Sequence, residues 1–364
     1  MLRTALIGFP SVGKTSLFQL MTQHAELPRG GQGRLEATVG VARVPDPRLD
    51  RLTAMYTPRK RVPAVVECAD LGGAGRTAAQ ALFDVAPFRD ADALVHVVRA
   101  FADEAVARAS GSADPAHDAQ AMEDELILAD LGVAEKRLDR IERDLKKART
   151  PDLEKERDVL ATCCGALEHG SPLRALDLAE DQRKRLRGFQ FLSAKPLLLV
   201  VNVSESNLAL LSQGTRAAHE AGLDPFLSRA ATRAVAVCAK IELEIAGLEP
   251  GDRAAFLADL GLKEPGIDRV IRGVYDLLGY LSFFTVGDDE CRAWSIPRGT
   301  SALLAAAEIH TDISRGFIRA EVVTYDHLVG RGSMAACREH GEVRLEGKEY
   351  VVRDGDIIHF RFAT

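Results

Sequence analysis

Hydrophobic residues along this chain fall into three textures. In the first, short continuous apolar runs alternate with amphipathic stretches. Residues 3–7 (Arg-Thr-Ala-Leu-Ile) read as a buried strand, and from Lys14 the spacing of Leu17, Phe18, Leu20 and Met21 turns helical. Further strands are read at 62–69, ending at Asp70, at 93–98, at 196–201, ending at Asn202, and at 234–238. Continuous apolar strands separated by helices predict a parallel sheet covered on both faces. In such sheets functional groups gather at the carboxyl ends of the strands. Asp70 and Asn202 stand at two such ends.

The second texture is a seam. Ile127, Leu131, Ala134, Leu138, Ile141, Leu145 and Ala148 step alternately by four and three, with charged residues between them. Thr150-Pro151-Asp152 stops the pattern, and a returning seam follows at Leu153, Leu160, Cys163 and Leu167, interrupted by Glu156. A long helix, a tight turn and a returning helix predict an antiparallel coiled-coil hairpin. Its charged outer face (Glu135-Lys136-Arg137, Lys146-Lys147) reads either as solvated surface or as a contact face.

The third texture occupies about 282–364. Alternating strands are read at 283–286, 292–296, 320–323, 350–352 and 357–360, bounded by Gly and Asp turns, with a helix at 301–310. This predicts a small α+β module with one helix on a mostly antiparallel sheet. The expected division is therefore residues 1–100 and 196–281 as one α/β domain, 101–195 as an inserted helical arm, and 282–364 as the C-terminal module.

Candidate chemistry begins in the first loop. Gly8 to Thr15 fits GxxxxGK[ST], placed between a strand and a helix as a phosphate loop requires. Its glycines let backbone N–H groups turn inward toward phosphate oxygens, and the helix N-terminus adds its positive dipole end. Ser11, Val12, Gly13, Lys14, Thr15 and Ser16 are the expected nucleotide cradle. Lys14 would reach the β- and γ-phosphates, and the Thr15 hydroxyl would bind Mg2+. Asp70-Leu71-Gly72-Gly73 fits DxxG at a strand end. Asp70 would hold the metal through water, and the Gly73 N–H would sense the γ-phosphate. Lys14 and Gly73 are thus the residues assigned to the chemistry. Small GTPases place a water-orienting glutamine just after this glycine; here the position is Ala74, so slow intrinsic turnover is expected.

Asn202-Val203-Ser204-Glu205 sits where guanine-specific proteins carry NKxD. Glu205 is one methylene longer than the aspartate that pairs with guanine and is free to swing toward solvent. Val203 offers the base only an apolar surface. The purine edge then falls to Asn202 and to the backbone near Val203 and Ala239, which predicts ATP over GTP.

Composition narrows the setting. The chain has 364 residues and is 46% hydrophobic, enough for two or three domain cores. No apolar run approaches the roughly 20 residues of a membrane span, and no signal peptide precedes the first strand, so a cytoplasmic protein without a membrane partner is expected. Six cysteines without CxxC spacing read as reduced thiols rather than a disulfide frame or zinc site. The formal charge of −6, and 10 Arg and Lys against 13 Asp and Glu over residues 282–362, exclude a protein that binds nucleic acid through bulk charge.

Taken together, "GFPSVGKTSLFQLMT", "VGVARVPDPRLDRL", "NVSE", "AKIELEIAGL" and the long C-terminal run "RAWSIPRGTSALLAAAEIHTDISRGFIRAEVVTYD" with "RLEGKEYVVRDGDIIHFRF" resemble the Obg-like ATPases, specifically the YchF subfamily of translation-factor-class P-loop proteins. The resemblance covers nearly the whole chain. It implies a Ras-like P-loop domain that hydrolyses ATP, a coiled-coil arm, and a C-terminal β-grasp domain of the TGS type. It also implies association with the ribosome, through rRNA or ribosomal protein. Cys238-Ala239-Lys240 matches the base-side loop that usually reads Ser-Ala-Lys. Three features depart from the family pattern. Ser11 replaces an asparagine that in related proteins helps hold potassium, Arg34 falls at the Mg2+-sensing threonine, and the loop after Gly73 is shortened. A GTPase of the same architecture and a non-hydrolysing nucleotide-gated adaptor are the alternatives.

Overall fold

The computed structural model describes residues 2–23, 38–70, 88–101 and 114–363. Among these residues the strands are β1 (Leu2–Ile7), β2 (Thr38–Arg43), β3 (Lys60–Val62), β4 (Val65–Asp70), β5 (Ala93–Ala100), β6 (Leu197–Val203), β7 (Thr232–Val237), β8 (Tyr280–Thr285), β9 (Glu290–Pro297), β10 (Phe317–Thr324), β11 (Arg344–Glu346) and β12 (Asp356–Phe362). Contacts divide the chain into two compact units: Met1–Val41 with Glu67–Leu277, and Ala42–Val66 with Leu278–Thr364.

The first unit is built on a sheet ordered β2-β4-β1-β5-β6-β7, in which β1, β5, β6 and β7 pair in parallel. All seven residues of β6 are buried, as expected of a strand with both faces covered. The strand read at 62–69 breaks in two. Pro63, which has no N–H to give a ladder, lies between β3 and β4. Asn202 lies inside β6, one residue before its end, rather than just past it.

The arm rises from the same unit. Its outgoing helix runs Pro115–Leu145 and its return Pro151–Glu168, with Thr150 capping the return by accepting from Leu153 N–H. Ile127, Ala134, Ile141, Leu160, Cys163 and Leu167 bury together, with Leu131, Leu138, Leu145 and Leu153 packed against them. The seam ends at Leu145, so Ala148 is not part of it. Glu156, which interrupts the returning seam, forms a two-bonded ion pair with Arg137 across the hairpin. At the arm's root Asp130, fully buried, accepts from Leu192 and Ser193 N–H, and Glu123 pairs with Arg174 with both side chains out of water.

The second unit has a sheet ordered β11-β10-β12-β8-β9-β3. The β10–β11, β10–β12 and β8–β9 pairs are antiparallel; β12–β8 and β3–β9 are parallel. Segment 42–66, which the sequence reading assigned to the first domain, joins this unit through β3 and through Arg48, whose guanidinium grips Asp354 at 2.7 Å. The module carries several helices rather than one: Ala302–Ile309, Thr311–Arg315, Tyr325–Arg331 and Met334–Glu339. The last two are a few residues long and begin at side-chain caps from Thr324 and Ser333, so no apolar period announces them. Residues 350–352 make only a bridge, Ser301 to Val351. No helix among the described residues is long and apolar enough to cross a membrane, and all six cysteines are buried free thiols.

Candidate functional site

The phosphate loop hangs between β1 and the helix Lys14–Thr22. Gly8 has φ 139° and Gly13 φ 102°, and Ser11 sits at φ 62°, where residues with a side chain are uncommon. A Cβ on Gly8 would stand 2.6 Å from the Val97 carbonyl oxygen, and one on Gly13 2.6 Å from the Asn202 side-chain amide. Both glycines are therefore required twice over, by backbone angle and by space.

Lys14 folds back on this loop. Its ammonium donates to the carbonyls of Gly8 at 2.7 Å and Phe9 at 2.6 Å. Burial lowers its pKa to about 8, partly opposed by the Asp70 carboxylate. A half-buried cation whose hydrogen bonds among the described residues go to neutral carbonyls is poised to take a more strongly acidic partner, as a triphosphate would be. Below the loop, His96 of β5 lies opposite Ile7. Burial, with the nearby charges of Lys14 and Arg174, brings its pKa down to about 3, so it is a neutral core group.

Asp70 ends β4 with 1% of its surface exposed. The Thr15 hydroxyl donates to its Oδ2 at 3.4 Å, while Oδ1 is buried with no hydrogen-bond partner among the described residues. Burial raises its pKa, with Lys14 and Thr15 pulling the other way. An orphaned buried carboxylate oxygen beside a hydroxyl, both at the phosphate loop, is a hard oxygen donor set of the kind Mg2+ takes. The donors present thus fit that ion. Gly73 and Ala74, and also Arg34, lie outside the described residues.

Asn202 joins the two ends of the site. Its Nδ2 donates to the Val12 carbonyl at 2.9 Å, and its Oδ1 accepts from Ala239 N–H at 3.0 Å. Asn202 is 4% exposed, so these bonds occupy a buried amide. Its work in this structure is to brace the phosphate loop against the start of the helix Ala239–Gly247, which begins at the strand end of β7.

Beyond this brace opens a cavity of about 560 Å³. Ser11, Gly13 and Ser16 line it at the loop; Asn202, Ser204, Cys238 and Ala239, with Phe101, Val203, Glu205, Lys240 and Leu243, line the rest. Glu205 does not swing free, contrary to the sequence expectation. Its Oε2 meets the Lys240 ammonium at 2.8 Å, and the carboxylate raises the lysine's pKa. In the sequence Lys240 shows only as the end of Cys238-Ala239-Lys240, and Phe101 and Leu243 carry no motif that points to the site. Phe101 stands just past the carboxyl end of β5, the position where parallel sheets present ligand-contacting groups. The Arg99 guanidinium lies over its ring, 4.6 Å from the centroid, and donates to its carbonyl. Leu243 is an apolar side chain 47% exposed on the helix Ala239–Gly247, lining the cavity.

A family model described as "YchF-GTPase_C: Protein of unknown function (DUF933)" matches residues 280–363. The chain is 40% identical over 366 residues to the ribosome-binding ATPase YchF of Bacillus subtilis (strain 168), covering 99% of both proteins. It is 36% identical over 368 residues to the protein of the same name from Escherichia coli O157:H7, again over 99% of each. The solved structure of the YchF GTPase of Schizosaccharomyces pombe superposes with a TM-score of 0.81 at 26% identity, covering 99% of this chain and 97% of that one.

Proposed function

The chain belongs to the YchF family, and on that premise we propose that it is an ATP-binding, slowly ATP-hydrolysing switch that associates with the ribosome. The observation that carries the choice of nucleotide is the Glu205–Lys240 pair at the base end of the cavity. Guanine offers two donors, N1–H and the 2-amino group, and selection for it rests on a carboxylate free to accept both. Adenine offers an N1 acceptor and a 6-amino donor, which a bare carboxylate repels at N1. A carboxylate already paired with an ammonium lessens the reward for guanine and the penalty for adenine. The side chains left facing the base are then mostly apolar, Phe101, Val203 and Leu243, with backbone polar groups near Val203 and Ala239 to meet the purine edge.

At the other end, Lys14 exchanges the carbonyls of Gly8 and Phe9 for the β- and γ-phosphate oxygens. Backbone N–H groups from Ser11 to Ser16 cradle the phosphates, with Gly13 allowing their close approach. The Thr15 hydroxyl and Asp70 Oδ1 would hold Mg2+, which when bound offsets charge on the phosphates. Gly73 would report the γ-phosphate. Slow turnover is inferred from Ala74, whose methyl can neither orient water nor accept its proton. The ribosome, met through rRNA or ribosomal protein, would be engaged by the helical arm and the C-terminal TGS-like module. That inference rests on the relatives' names and on two regions that lie outside the chemistry.

Competition binding with Mg2+-loaded, non-hydrolysable ATP and GTP analogues, followed by single-turnover hydrolysis, tests the reading. Tighter adenine binding with slow, metal-dependent hydrolysis is expected. Guanine binding at least as tight as adenine would promote a GTPase of the same build. Tight binding without any hydrolysis would promote a nucleotide-gated adaptor. Co-sedimentation with ribosomes checks the partner.

A further inference from the structure

We propose that Lys240 is a specificity-determining residue of this site: by pairing with Glu205 it withholds from the base a carboxylate that would otherwise favour guanine. This rests on the reading of the cavity as a purine site, and the test below separates the two. The geometry has three parts. Glu205 follows the end of β6, and Lys240 is the second residue of the helix Ala239–Gly247. Their charged groups meet at 2.8 Å on the wall of one cavity. The backbones that carry them are held together by Asn202, which lies in β6 and accepts from Ala239 N–H. The pair therefore closes over a fixed hinge rather than between two loose loops.

Position makes Lys240 the controlling partner. One Glu205 oxygen meets the ammonium, which offsets the carboxylate's charge and so weakens its acceptance of guanine's two donors while the pair holds. The side chains are 47% and 68% exposed for Glu205 and Lys240, so breaking it is feasible and the preference it confers is modest. The lysine stem also lies along the cavity and can pack on either purine. Loss of that packing lowers affinity for both bases alike and leaves their ratio unmoved. The ratio of guanine to adenine affinity is therefore the quantity that reports the charge.

Lys240→Met keeps the stem and removes the ammonium. In competition binding with Mg2+-loaded, non-hydrolysable GTP and ATP analogues, the guanine-to-adenine affinity ratio is expected to rise about threefold. Lys240→Arg keeps the pair and is expected to hold the wild-type ratio. In Lys240→Met/Glu205→Gln the freed carboxylate is gone, and the ratio is expected to fall back toward wild type. A Lys240→Met ratio within twofold of wild type overturns the proposal, as does a double variant that stays as high as the single one. If wild-type protein prefers guanine while the variants still shift as described, the adenine reading fails and the Lys240 assignment stands. If wild type prefers adenine and the variants do not shift, the reverse holds.

Discussion

At the phosphate end of the site the chain works with its backbone, and at the base end with side chains that reach water. Gly8 and Gly13 are fixed by φ and by neighbours 2.6 Å from any added Cβ. Beside them Lys14 is half-buried and Asp70 buried, and burial moves the pKa values of both. Glu205 and Lys240, across the Asn202 brace, are 47% and 68% exposed and pair with each other. The difference teaches which property each end controls. On the proposed reading, the backbone-built cradle would set whether a nucleotide binds at all, and the exposed ion pair would only tilt the choice between two purines.

The largest effect is expected at Lys14. Charge-assisted hydrogen bonds to phosphate oxygens contribute about 1.5–3 kcal/mol each. Lys14→Ala removes them, so ATP affinity is expected to fall at least about 100-fold by calorimetry. The fold is expected to survive within about 1 kcal/mol, because the lysine's hydrogen bonds among the described residues go to two loop carbonyls that water can reach once the side chain is gone. ATP binding as tight as wild type would dissolve the distinction between the two ends.

Asn202→Ala attacks the brace and so is expected to injure both ends together. It leaves the Val12 carbonyl and the Ala239 N–H unpaired in a buried place. Each such group costs about 1–3 kcal/mol. A lower melting temperature and a loss of ATP affinity of about tenfold are expected in the same variant, where Lys14→Ala shows only the second. A variant with an unchanged melt would mean that the two ends are not mechanically joined here.

A pH titration sharpens the contrast without mutation. Lys14 titrates near pH 8 in the free protein, down from 10.5. Bound phosphate favours its charged form and raises that value again. Below pH 8 the lysine is protonated free and bound, so affinity is flat. Above pH 8 binding takes up a proton, and ATP affinity is expected to drop about tenfold between pH 7 and pH 9. The stability of the free protein has the opposite sign. Over pH 8 to 10.5 the unfolded chain holds the extra proton, so this group's contribution to stability rises with pH. Calorimetry in buffers of different ionisation enthalpy reads the proton uptake directly. Uptake absent from wild type at pH 9, or persisting unchanged in Lys14→Ala, contradicts the assignment.

The same contrast explains what could be read from the sequence. The phosphate end is legible because its constraints are backbone constraints, which only glycine at Gly8 and Gly13 satisfies, and they lie within one loop. The buried strands are legible because β6 is apolar at nearly every position. The arm is legible because seven seam positions repeat, although the repeat runs past the helix end to Ala148. The base end is not, since Glu205 and Lys240 are 35 residues apart and meet only through tertiary structure. Phe101 carries no motif, only a place just beyond a strand. Segment 42–66 was misassigned because three residues of β3 pair with β9, more than 200 positions away, and local pattern cannot show that.

The smallest expected effect is at Phe101, and it completes the division of labour. Its ring lines the cavity on one side and carries the Arg99 guanidinium over it, so the ring is held in place before any base arrives. Every purine has a π face, and stacking on a fixed ring does not distinguish adenine from guanine. Phe101→Leu keeps apolar bulk and removes the ring. The part of an aromatic contact that exceeds simple area burial is about 0.5–1.5 kcal/mol, so affinity is expected to fall about twofold to tenfold. It is expected to fall equally for adenine and guanine analogues, leaving the ratio that Lys240 controls where it was. A fall confined to one purine would show that Phe101 reads an edge rather than a face. The base end would then hold two selectivity elements where the present geometry supports one.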